Sequence, residues 1–282
     1  MNKRQEIIAS IASAPPLPTA SAEVIQLIHD PDVPSVKIAQ AIEYDPSLTT
    51  NVLRLANSSF FGFSRSVSTV KDALFRLGTN QVFQLVVAAT VGKMTKTPVR
   101  GYDLSGGELW DHLIGTAIGS IQIARALKLQ IPPYTFTAAL THDVGKVVLG
   151  TFVEVNADSI RNLAYEQKMS FEKAEHRVLG IDHAEVGAFL LERWKLPAYL
   201  VEAVRWHHQP EHHSGDPLVA NVVHVADVVC LMAGVGAGLD ALSYQPSSQA
   251  MERLGLETKL LDRIVYEILN ELMETRKLFK LD

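Results

Sequence analysis

Ten histidines occur in the 282 residues, and nine of them follow residue 111. The most telling lies in Leu140-Thr141-His142-Asp143-Val144-Gly145-Lys146, where an imidazole and a carboxylate are neighbours. Adjacent residues on a helix point about 100° apart around its axis. Both can therefore reach one metal ion, and a carboxylate can also bridge to a second. Imidazole with carboxylate suits iron, manganese, nickel or zinc and does not select among them. Other candidates fall on separate predicted helices. His112 follows Trp110-Asp111, His183 opens a helix continuing Ala184-Glu185-Val186, and His207-His208 ends the helix through Val201–Val204. Asp227 lies in the apolar helix Val223-His224-Val225-Ala226-Asp227. A lone carboxylate is costly there, and a metal ion or an Arg, Lys or His partner would make its burial tolerable.

Lesser candidates surround this set. Glu108, one turn before His112, reads as an additional ligand or as a solvated helix carboxylate. His224, three positions before Asp227, could support the site from behind. His212 and His213 read as loop residues. His176 sits with Glu172, Lys173, Glu175 and Arg177 on what reads as a solvated face, and His29 ends a helix before Asp30-Pro31.

The elements that must position these residues are helices almost throughout, and an all-α fold follows. Asp45-Pro46 reads as a cap with proline in the first turn, followed by Leu48, Val52 and Leu55 on one face. Val70, Leu74 and Leu77 make a second stripe that Gly78 ends, and Asn80 is placed to cap the helix carrying Val82, Phe83, Val86 and Val87. Alternating runs bounded by hairpin turns are absent, so little or no sheet is expected. The polar connector around Thr95–Ser105, with Pro98 and Gly101, marks a boundary between an N-terminal helical subdomain (1–95) and a metal-site subdomain (106–282), packed as one module. Breaks follow at Pro132-Pro133, Pro197, Pro210 and Gly234–Gly238; those last glycines follow no strand, so they read as a helix end and loop, not a dinucleotide fingerprint.

Composition excludes several classes. A hydrophobic fraction of 47%, with 26 basic against 31 acidic residues and a net charge of −5, describes an ordinary globular chain without the basic surplus of a nucleic-acid binder. The single cysteine, Cys230, permits no internal disulfide and no thiolate zinc cluster, and its apolar surroundings read as a buried helix. Lys3 and Arg4 precede a short apolar run containing Glu6, which reads as an amphipathic helix instead of a signal peptide. No stretch approaches membrane-spanning length, and a cytoplasmic location is expected. Phe60-Phe61-Gly62-Phe63 reads as core packing between the two halves or as a docking patch, and Trp194 and Trp206 as core or rim.

The ordered set His112, His142-Asp143, His183, His207-His208 and Asp227 resembles the HD-type metal-dependent phosphohydrolases, particularly their HD-GYP branch. The resemblance implies an HD-like helical bundle with one metal held by His112, His142, Asp143 and Asp227. A second metal would be held by His183, His207 and His208, with Asp143 bridging. The ions would be divalent or transition metals, iron or manganese first, nickel or zinc as alternatives. Lys146 matches the lysine of the family's HD-x-GK motif, which faces a substrate phosphate. The first half is similar to the narrower HDOD family through Ala14-Pro15-Pro16-Leu17-Pro18, Leu53-Arg54-Leu55-Ala56-Asn57-Ser58-Ser59-Phe60-Phe61-Gly62, Val67-Ser68-Thr69-Val70-Lys71-Asp72-Ala73 and Leu77-Gly78. HDOD members are all-helical bacterial signalling modules, many without the metal ligands; this chain keeps them. It departs from the active phosphodiesterases after the histidine pair, where Gln209–Pro217 carries His212 in place of aspartate and Asp216 in place of tyrosine. A carboxylate facing the pocket at position 216 would repel a dianionic nucleotide, which counts against cyclic-di-GMP hydrolysis.

Two functions are therefore expected. As an enzyme, the protein would be a metal-dependent phosphohydrolase or phosphodiesterase with Asp143 and Lys146 in the catalytic machinery. As a scaffold or regulator, it would bind a signalling protein or a phosphorylated small molecule or nucleotide around a structural or vestigial metal site. Neither reading involves a membrane or nucleic acid.

Overall fold

The computed structural model describes residues 2–14, 16–28, 30, 32–58, 66–241, 244 and 246–278. Pro15, His29 and the Phe60-Phe61-Gly62-Phe63 cluster lie outside the described residues. Helix α1 (Lys3–Ser13) starts on a reciprocal cap: the Asn2 side chain accepts from the Gln5 main chain, and the Gln5 side chain accepts from Asn2. Its buried Ile7 and Ile11, four apart, agree with an amphipathic helix. The next helices are α2 (Thr19–Ile28), α3 (Ser35–Glu43), α4 (Pro46–Ala56), α5 (Val70–Leu77) and α6 (Thr79–Met94). Asp45 caps α4 through the main-chain N–H groups of Ser47 and Leu48, and Leu48, Val52 and Leu55 are buried. Gly78, at φ 77°, ends α5. Helix α6 starts at Thr79, and the Gly78 carbonyl accepts from Val82, so Asn80 falls inside the first turn instead of capping it.

The remaining helices are α7 (Glu108–Leu127), α8 (Thr135–Thr141), α9 (Lys146–Glu166), α10 (Phe171–Leu179), α11 (His183–Arg193), α12 (Ala198–Arg205), α13 (Leu218–Met232), α14 (Ser248–Leu254) and α15 (Leu261–Leu278). By packing, residues 1–15 with 94–269 form one compact unit, and 16–93 with 270–282 another. In the first, α13 lies against α7, α8, α12 and α14, while α11 packs on α12 and α9, and α10 on α9. Helix α13 is buried from Val219 to Leu231, which is why its sequence is apolar on every face. Each valine buried there contributes about 1.5–3 kcal/mol before the entropy of ordering the chain is set against it. In the second unit, α2 packs on α3, and α3 on α4 and α5. There the Thr90 hydroxyl donates to that of Ser21 at 2.8 Å inside the core.

Among the described residues there is no strand; Val99 and Leu104 form an isolated antiparallel bridge around the turn at Arg100–Tyr102. No described helix is long and apolar enough to cross a membrane.

Candidate metal centre

Five segments of one unit deliver the histidines and aspartates to one place. His112 comes from the second turn of α7, and Asp227 from α13, which packs against α7. His142 and Asp143 sit in the tight turn joining α8 to α9, not within a continuous helix, although His142 keeps helical angles (φ −55°, ψ −40°). His183 is the first residue of α11, whose start is fixed by the Asp182 side chain accepting from Glu185. His207 and His208 follow the end of α12.

Gly145 lets two of these segments meet. A Cβ there would lie 2.0 Å from the His183 carbonyl oxygen and 2.6 Å from the Gly187 nitrogen, so only hydrogen fits between the turn and α11. Gly236 does the same for α7: it has φ +58°, and a Cβ would fall 2.6 Å from that of His112.

The donor atoms converge in two groups. One atom each from Asp143, His183, His207 and His208 lies within 4.8 Å of the others, and so do atoms of His112, His142 and Asp227. Asp143 joins the groups: Oδ1 is 3.2 Å from His183 Nε2 and 3.7 Å from His207 Nε2, while Oδ2 is 3.5 Å from His112 Nε2 and 3.4 Å from His142 Nε2. Asp227 Oδ1 lies 3.0 Å from His112 Nε2 and 3.7 Å from His142 Nε2.

Behind the rings, the other nitrogens are anchored. Nδ1–H of His112 donates to the Val235 carbonyl (3.0 Å), that of His142 to Ala139 (2.7 Å) and that of His207 to Val204 (2.7 Å). His183 Nδ1–H donates to Glu175 Oε2 at 2.7 Å. With Nδ1 held by its acceptor, Nε2 is the nitrogen turned to the centre, the arrangement a metal-binding imidazole adopts.

The residues fit a metal by a second test. His112 Nε2, His142 Nε2, His207 Nε2, His208 Nδ1 and Asp143 Oδ1 are buried without a hydrogen-bond partner. So many orphaned polar atoms facing one point are expensive unless a cation satisfies them. His183 Nε2 and His208 Nε2 stand 2.7 Å apart, whereas two imidazoles on one tetrahedral ion at about 2.1 Å each sit roughly 3.4 Å apart. That pair must open by about 0.7 Å to receive an ion.

The electrostatics agree. Burial disfavours charge on His142, but Asp143 and Asp227 outweigh it and push its pKa up to about 9. His183 rises well above the usual value against its burial, through Glu175 and Asp143. Burial and the charge of His142 take His207 down to about 3, and burial with His207 and His183 holds His208 well below the ordinary histidine range. Asp143 stays well below the carboxylate range despite burial, because Lys146, His142 and His183 surround it. Asp227 does so because the His112 and His142 rings lie beside it. Without metal, protons on His142 and His183 and the ammonium of Lys146 thus supply the cations.

Lys146 is buried, its Nζ 2.5 Å from both Asp143 Oδ2 and Asp240 Oδ2 and 5.2 Å from the centre of the Tyr102 ring. Of the lesser candidates, His224 does support the site: its Nδ1–H donates to the His207 carbonyl, and Ser247 donates to its Nε2. Glu108 is exposed and accepts from the Ser105 main chain. His212 is an exposed residue edge-on to Trp206, and His176 is 57% exposed beside Asp182. Trp194 is buried and Trp206 half-buried. Asp216 is exposed and accepts from the Leu218 main chain at the start of α13. The face carrying His176 is not wholly solvated, however: Glu172 and Glu175 on the same helix are buried. Glu175, Asp240, Tyr102 and Tyr244, which stacks on His208 at 4.9 Å, are the site residues the sequence reading missed. Glu175 carried a signal, since it falls in the buried stripe Phe171, Ala174, Glu175 and Leu179; Asp240 and Tyr244 lie in a loop with no period to read.

The HDOD domain family matches residues 14–210. The chain belongs to the HDOD family. His112 through His208 fall inside the matched segment, and Asp227 lies beyond it. An HDOD domain protein of unknown function from Geobacter sulfurreducens is 26% identical, with a TM-score of 0.69 over 98% of this chain and 93% of that one. A candidate phosphohydrolase from Shewanella amazonensis SB2B shares the fold at a TM-score of 0.72, with 24% identity over 96% and 97% of the two chains. An uncharacterized protein of Treponema pallidum (strain Nichols) is 26% identical over 77% of this chain; the chain spans 43% of that relative's length. This HDOD chain thus combines the family's all-helical fold with histidine and aspartate clusters that could hold metal.

Proposed function

We propose that this HDOD chain is a signalling module built around a two-metal centre of the phosphohydrolase type. His112, His142 and Asp227 would hold one ion, His183, His207 and His208 the other, with Asp143 shared. The observation that carries the reading is the set of orphaned Nε2 atoms of His112, His142 and His207, fixed by Nδ1 anchors and aimed at Asp143 and Asp227. Charge supports it. Asp143, Asp227 and Asp240 are three buried carboxyl groups around the buried Lys146, an excess that divalent ions would offset.

When bound, such ions supply electrophilic pull on a phosphoryl oxygen. The chain's own residues do the rest. Asp143 spans both positions, and Lys146 keeps a fixed positive charge beside it. Tyr244 stacks on His208 and orients that ring. Iron or manganese suits the mixture of imidazole and carboxylate, with nickel or zinc as alternatives. The ligand would be a phosphorylated small molecule or nucleotide, and the signal would pass on to a protein partner. Asp216 is exposed at the start of α13 and bonded to the Leu218 main chain, where solvent screens its charge, so it does not rule out an anionic ligand.

One observation favours the alternative of a regulatory protein with a structural metal. His112, His142, Asp143, His183, His207, His208 and Asp227 expose no more than 5% of any side chain, which leaves little room for substrate without opening. Elemental analysis of untagged protein beside Asp143→Ala separates these outcomes. About two equivalents of metal, reduced in the variant, support the centre, and hydrolysis of aryl phosphates by the loaded protein then decides for the enzyme. Loaded protein that cleaves no phosphoester leaves the structural reading. Folded protein that neither contains nor takes up metal refutes both.

A further inference from the structure

The four anchored rings are not anchored alike. His112, His142 and His207 donate to main-chain carbonyls, whereas His183 donates to a carboxylate. That carboxylate, Glu175, has no exposed surface and is saturated with donors. Its Oε1 accepts the Tyr102 hydroxyl at 2.5 Å, and its Oε2 accepts both the main-chain N–H (3.0 Å) and the ring Nδ1–H (2.7 Å) of His183. Two bonds from one residue to one oxygen fix both the backbone and the ring of His183. Nε2 is then left facing Asp143 Oδ1 at 3.2 Å and His208 Nε2 at 2.7 Å. A carboxylate is a stronger acceptor than a carbonyl, so it also makes the far nitrogen a better donor to a cation. Tyr102 is buried, which together with Glu175 keeps its hydroxyl protonated and donating.

We infer that Glu175 is a positioning residue for one of the two metal positions, the one made by Asp143, His183, His207 and His208, and that it acts through His183. The inference rests on the metal reading above. It makes the two positions unequal: losing the Glu175 charge weakens one and spares that of His112, His142 and Asp227, which lies on other anchors.

The test is a Zn2+ titration against a chromophoric chelator that resolves two equivalents, on wild type, Glu175→Gln, His183→Ala and the double variant. Glutamine keeps the shape and an acceptor oxygen but removes the charge. The expected result is one equivalent weakened about 10–100-fold in Glu175→Gln, the other unchanged, and no further loss when the change is added to His183→Ala. Equal weakening of both equivalents, no weakening, or the same loss in the His183→Ala background overturns the inference. Histidine 15N spectra of the wild type decide even where the variant does not fold. Zn2+ on Nε2 of His183 with Nδ1 protonated supports the inference, and Zn2+ on Nδ1 overturns it. Wild type that takes up no Zn2+ removes the metal reading and the inference together, whereas wild type that loads fully beside an unaltered Glu175→Gln removes the inference alone.

Discussion

Replacing Gly145 by alanine puts one methyl group at the junction of the ligand-bearing turn and α11. The backbone at Gly145 is ordinary (φ −60°, ψ −26°), so the substitution strains no dihedral. The conflict is steric: the new Cβ would lie 2.0 Å from the His183 oxygen, 2.6 Å from the Gly187 nitrogen and 3.0 Å from the His183 carbonyl carbon. All three are main-chain atoms and cannot rotate away. The turn and the helix must part by more than an ångström before these become ordinary contacts. Overpacking of this kind costs about 1–3 kcal/mol, which lowers the melting temperature by roughly 3–10 °C for a domain of this size. The effect on metal is larger in proportion. Metal–ligand distances tolerate about 0.2 Å, so moving His142-Asp143 away from His183 detaches at least one ligand, and affinity should fall about 100-fold or more. Metal titration and thermal melts followed by circular dichroism read both effects. Gly215→Ala is the control, because a Cβ there meets nothing closer than 3.6 Å. A Gly145→Ala protein that melts and loads two metals like wild type would refute the reasoning.

The proton on metal-free His142, whose pKa is pushed to about 9, must leave when a metal takes its Nε2. Below pH 9 affinity should therefore fall about tenfold per pH unit for that proton, and more steeply where His183 releases a second; calorimetry in buffers of different ionisation enthalpy counts the protons. Lys146→Met leaves Asp143 and Asp240 buried without their shared cation, which should destabilise the metal-free protein by about 3–5 kcal/mol. The loaded form should lose less, because metal compensates Asp143, so the gap between metal-free and loaded melting temperatures should widen. Cys230 is fully buried, and burial pushes its thiol to about 12, so a disulfide reagent at pH 8 should titrate it only after denaturation.

The sequence was most readable where chemistry and burial conflict. An aspartate in the apolar run of α13 and paired histidines or His-Asp neighbours demand an explanation, and the structure brings those residues together. Helix periodicity and punctuation at Asp45-Pro46 and Gly78 were equally legible, because caps and stripes are local. Partners supplied by the main chain were not. The Val235 carbonyl that anchors His112 lies in a glycine-rich loop whose side chains say nothing of hydrogen bonding. Glu175 was hidden because its helix is rich in charge, and only its place in the buried stripe distinguishes it from Lys173 and Arg177. Asn80 failed as a cap because Gly78 ends one helix and opens the next within a single residue.

Three of the four anchored rings lean on carbonyl oxygens, which every amino acid carries. The anchors therefore constrain the course of the chain at Ala139, Val204 and Val235, and leave the identity of those residues to packing alone. Substitutions accumulating there over long divergence would leave the rings aimed as before, so long as the turns keep their shape. Such a centre can persist between chains that share only about a quarter of their residues, and its inheritance is better traced by the path of the backbone than by residue identity around it.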